Sequence, residues 1–88
     1  MLHTDNLTKL NQFLSYGYIQ GFGAGHDRED GVNFIYIQTT NEPEYDELDM
    51  SLPLLIIKNP MAKDIEFANR LLKEFSESYG LPIVWNHL

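Results

Sequence analysis

The run 59–80 leaves this chain few ways to fold. Asn59 can cap a helix, Pro60 suits its first position and Gly80 suits its exit. Between them Ile65, Ala68, Leu72, Phe75 and Tyr79 recur at spacings of three and four, Leu71 widens that stripe, and Phe67 lies at its edge. Asn69, Arg70, Lys73 and Glu77 take the opposite face. Apolar runs flank the helix, Leu54, Leu55, Ile56 and Ile57 before it and Ile83, Val84 and Trp85 after it. Such a unit crosses between two parallel strands and lays its apolar stripe on the sheet.

The rest of the chain supplies partners for that unit. Thr4 or Asp5 can cap a first helix in which Leu7, Leu10 and Leu14 share a face, with Phe13 beside it and Gly17 at the exit. Residues 18–22 read as a strand whose far end is weakened by Gly21, Gly23 and Gly25, and residues 26–31 as a polar connection. Residues 32–39 resume as an inner strand, because Phe34, Ile35, Tyr36 and Ile37 offer apolar groups to both faces. After a second polar connection over 41–51, a third strand runs from Leu52 to Lys58 with Pro53 near its start. The expected fold is α+β, a four-stranded mixed sheet with two helices in the order α-β-β-β-α-β, closing on a β-α-β crossover. Strands one to three form an antiparallel meander, and both helices most economically cover one face. The other face is then either left partly open, which implies a partner or a homodimer, or covered by the loops and the N-terminal segment, unless the helices divide between the faces.

At 88 residues the chain is expected to be a single globular domain spanning 1–88, and 43% hydrophobic residues supply one core. It has no cysteine, which removes disulfides, thiolate zinc sites and cysteine nucleophiles together and is compatible with a reducing compartment. The residues before the first apolar pattern lack the basic start and apolar stretch of a signal peptide, so the expected location is cytoplasmic.

The formal charge of −7 is local. Between residues 26 and 49 stand Asp27, Glu29, Asp30, Glu42, Glu44, Asp46, Glu47 and Asp49 against Arg28 alone, while five acids and five bases elsewhere cancel. A distribution of this kind disfavours nucleic acid or an anionic membrane as direct partner and favours a protein with a basic surface or a cation. Within the second connection Tyr45 stands among the acids, an aromatic anchor surrounded by steering carboxylates. The expected partner-binding residues are therefore Asp27, Glu29, Asp30, Glu42, Glu44, Tyr45, Asp46, Glu47 and Asp49. The same composition also suits a solvated loop that keeps the protein soluble.

Other motifs are weaker. The series Gly21, Gly23, Gly25 has the spacing of a phosphate loop but neither a following helix nor a Walker-type lysine, and reads as a structural bend. His26, Asp27, Glu29 and Asp30 could hold a divalent cation, yet their spacing matches neither an EF-hand nor a zinc motif, and no catalytic residue, cofactor or metal is assigned. Trp85 beside Ile83 and Val84 reads as core more readily than as interface.

The closing strand-helix-strand resembles the end of barstar-type inhibitors in element order over roughly the last third of the chain, without a shared residue motif. The leading expectation is a small acidic interaction protein of inhibitor, immunity or anti-defence type. It would bind a basic, nucleic-acid-binding surface through residues 27–49 and so act as a nucleic-acid mimic. A metal-dependent or small-ligand enzyme built on residues 26–30, or a self-associating structural subunit, is the alternative.

Overall fold

The computed structural model describes residues 2–44 and 51–88; Tyr45, Asp46, Glu47 and Asp49 lie outside the described residues. In chain order the elements are α1 (Thr4–Ser15), β1 (Ile19–Glu29), β2 (Val32–Asn41), β3 (Pro53–Lys58), α2 (Ala62–Tyr79) and β4 (Ile83–Asn86). The fold is α+β, and the strands form one mixed sheet in the order β3-β2-β1-β4. β1 pairs antiparallel with β2, β2 antiparallel with β3, and β4 parallel with β1. Thus β1, β3 and β4 run in one direction, and α2 carries the chain from one edge of the sheet to the other.

The helices build their core on one face. Strand alternation sends Phe22 and Ala24 of β1, and Ile35 and Ile37 of β2, to that face, where all four are fully buried. Ala68, Leu72 and Phe75 of α2 and Leu10 of α1 join them in one hydrophobic cluster. Phe22 stacks on Phe75 with ring centroids 5.9 Å apart and meets Tyr79 at 6.0 Å. α1 is tied to β3 rather than to the centre of the sheet: the His3 N–H donates to the Leu54 carbonyl at 2.9 Å, and the Asn6 side-chain amide donates to the Pro53 carbonyl at 2.6 Å.

Three local expectations need correction. β1 does not end near Phe22, and residues 26–31 are not a connection; the strand continues through the three glycines to Glu29. The hairpin closes on Asp30 and Gly31 alone, both left-handed at φ 53° and 78°, the conformation that a two-residue turn needs to match strand twist. α2 starts two residues later than Asn59 and Pro60 suggest. Asn59 is left-handed at φ 49°, and the cap is Met61, whose N–H donates to the Asp64 carboxylate at 2.9 Å. α1 is likewise capped by His3 instead of Thr4 or Asp5. At the other end of α2, Gly80 takes the left-handed φ of 66° that a helix exit favours.

Candidate functional site

The side of the sheet away from the helix core carries a different chemistry. Alternation along β2 places Val32, Phe34, Tyr36 and Gln38 there, and along β1 Gly21, Gly23, Gly25, Asp27 and Glu29. From β4 comes Trp85, paired with Gly23. A row of rings results: Phe34 to Tyr36 at 6.2 Å, Tyr36 to Trp85 at 5.8 Å and 69°, and Trp85 to His87 at 5.6 Å and 26°. Edge-to-face and offset arrangements of this kind each add about 0.5–1.5 kcal/mol beyond area burial.

The glycines make the row continuous. β1 lies between β2 and β4, so Tyr36 and Trp85 stand two strand spacings apart, roughly 10 Å from backbone to backbone. They meet because nothing projects from β1 between them. A Cβ at Gly23 would fall inside the Trp85 indole, and one at Gly25 would stand 3.1 Å from the Tyr36 hydroxyl and 3.3 Å from the Trp85 ring. The expected bend is a smooth strand surface on which an indole lies flat. Trp85, expected in the core, is instead a half-buried member of this second face.

Carboxylates stand beside the rings. Asp27 follows Gly25 on the same face of β1, and the Tyr36 phenol is raised above its ordinary pKa of 10.0, by burial first and by the Asp27 charge second. Asp27, Glu29 and Asp30 are all exposed. Two shallow recesses flank a ridge made by Phe34 and Ile56. One, of about 240 Å³, is completed by Glu29, Asp30, Val32 and Lys58. The other, of about 280 Å³, is completed by Asp27, Tyr36, Gln38 and Pro53. Arg28 takes the helix-side direction by alternation, and Lys58 lines the recess beside Glu29 and Asp30.

The described acids of the segment stand at the two ends of the β1–β2 hairpin. Asp27, Glu29 and Asp30 mark the turn end of the β1–β2 hairpin. Glu42 marks the other, where its N–H donates to the Tyr18 carbonyl at 2.9 Å, and exposed Glu44 follows it. The length of β2 separates the two groups, roughly 30 Å at 3.3 Å per residue. Alternation also divides the residues considered for a metal. His26 takes the helix-side direction, with Nε2 3.4 Å from the Leu88 carbonyl oxygen, and Asp27 and Glu29 take the other. Among the described residues no three histidine, aspartate or glutamate side chains converge on a cation site. Of the exposed large apolar residues, Ile83 and Val84 belong to edge strand β4, Phe67 to α2, and Tyr16 follows α1. Among the described residues no helix is long and apolar enough to cross a membrane.

No protein-family model matches this chain, and neither a curated protein nor a solved structure matches it.

Proposed function

We propose that this protein is an acidic interaction module that occupies a basic surface of a partner protein with the aromatic face of its sheet and the carboxylates beside it. One observation carries the reading: Asp27 and Glu29 project from the same side of the sheet as Phe34, Tyr36 and Trp85. Half-buried aromatic anchors bordered by charge have the composition of an interface centre with a steering rim. Glu42 and Glu44, at the far end of the hairpin, add to the long-range field rather than to the same contact. Where the basic surface is one that binds nucleic acid, occupancy blocks it, the mode of an inhibitor, immunity or anti-defence protein.

The test is paired capture from the native cell with three baits: the unaltered protein, the Asp27→Asn, Glu29→Gln, Asp30→Asn variant, and the Glu42→Gln, Glu44→Gln variant. The expected result is a basic protein retained by the first and third and lost by the second, with association that slows as salt rises. A partner held equally by all three baits, with no salt dependence, would overturn the reading. Exposed Ile83 and Val84 favour a second reading, self-association along the edge of β4. Sedimentation as a monomer at high concentration counts against that one.

A further inference from the structure

We infer that the partner is read as an extended segment carrying arginine or lysine at alternate positions, laid across the Phe34–Ile56 ridge. This rests on the interaction reading above and specifies what that face recognises. Asp27 and Glu29 are two residues apart on one face of one strand, so their Cα atoms stand about 7 Å from each other. An extended peptide repeats its side chains on one face at the same interval. A helical ligand matches less closely and with a different sequence spacing, because its same-face neighbours stand about 5–6 Å apart and come at three and four residues.

Each carboxylate also has its own recess. The one beside Asp27 offers Phe34, Tyr36, Ile56 and Pro53, and the one beside Glu29 and Asp30 offers Val32, Phe34 and Ile56. Such walls suit the methylene stem of a long basic side chain, which lies on apolar surface while its charged head stays at the carboxylate. The Tyr36 ring in the first recess adds a face to which a guanidinium is attracted. Lys58 offsets one of the two carboxylates of the second recess, so both recesses carry the same net charge, and the Tyr36 ring makes the Asp27 recess the arginine-selective one. An acidic or purely apolar segment matches neither carboxylate.

Short synthetic peptides of threonine and valine test this by amide chemical-shift titration of the intact protein. One series carries two arginines two positions apart, and a composition-matched series carries them three apart. The alternate-position peptide should bind saturably, with shifts at Phe34, Tyr36, Glu29 and the Trp85 indole. The mismatched spacing should bind up to about fivefold more weakly, the loss of one exposed ion pair. The Asp27→Asn variant should remove most of the preference for arginine over lysine. Equal affinity for both spacings, or shifts confined to Glu42 and Glu44, would overturn the inference. So would shifts of the same residues on concentrating the protein alone, which would give the face to a second copy. If a captured basic protein depends on Asp27 and Glu29 but no peptide binds, the extended-segment inference fails and the interaction reading stands; a captured partner indifferent to those residues removes both.

Discussion

The two faces of this sheet are made by alternate residues of the same strands, yet they do different work. Toward the helices β2 presents Ile35 and Ile37, both fully buried. Away from them it presents Phe34 and Tyr36, both half-buried and accompanied by Asp27 and Glu29. A residue on the first face loses all its water and returns that as stability, whereas one on the second keeps part of its surface in water. Ring content alone does not set depth: Phe22 and Phe75 are buried on the helix side, while Phe34 and Tyr36 keep part of their surface in water on the other.

That contrast can be broken most directly by truncation. Ile37→Ala should cost about 2–5 kcal/mol in urea unfolding, as buried large-to-small changes do. Phe34→Ala should cost less, about 1–2 kcal/mol, because part of the ring surface it removes already faces water. Comparable losses would show that both faces are core. A sharper effect is expected of Gly23→Val, which forces the Trp85 indole off β1. Overpacking of this kind costs about 1–3 kcal/mol, and the indole emission should shift as the ring moves into water while the Phe22 cluster persists. Unchanged emission would remove the account of the glycines.

The smallest effect concerns the phenol. Because the folded pKa of Tyr36 lies above 10.0, the neutral ring contributes stability that is complete below pH 10 and is lost as the pH rises through the folded value. No change is expected at neutral pH. Asp27→Asn removes the smaller cause and leaves burial, so the ultraviolet titration midpoint of Tyr36 should fall but stay above 10.0. A midpoint that does not move places Asp27 away from the ring.

Much of the fold was legible because it rests on signals of short range. The period of α2 and the left-handed exit at Gly80 follow from local chemistry, as does the doubly apolar pattern of β2. The length of β1 was not legible in the same way, since Gly21, Gly23 and Gly25 read locally as strand breakers. Their spacing of two was the missed signal, for it puts all three on one face. Asp30 and Gly31 were the other, being the residue pair that a two-residue hairpin turn favours. Asn59 and Pro60 misplaced the start of α2 because the Asp64 carboxylate captures the Met61 N–H instead. For the site, the carboxylates were visible as a cluster in the chain, but β2 intervenes and carries Glu42 away from Asp27.

Sequence by itself determined the order of elements, the amphipathic helix that crosses the sheet and the location of the net charge. These depend on residue type and on neighbours a few positions away. Tertiary structure decided that an indole from β4 rests on glycines of β1, that it reaches a phenol on β2, and which carboxylates stand beside them. Those contacts join residues up to 62 positions apart, from Gly23 to Trp85, and exist only once strand pairing has set their register.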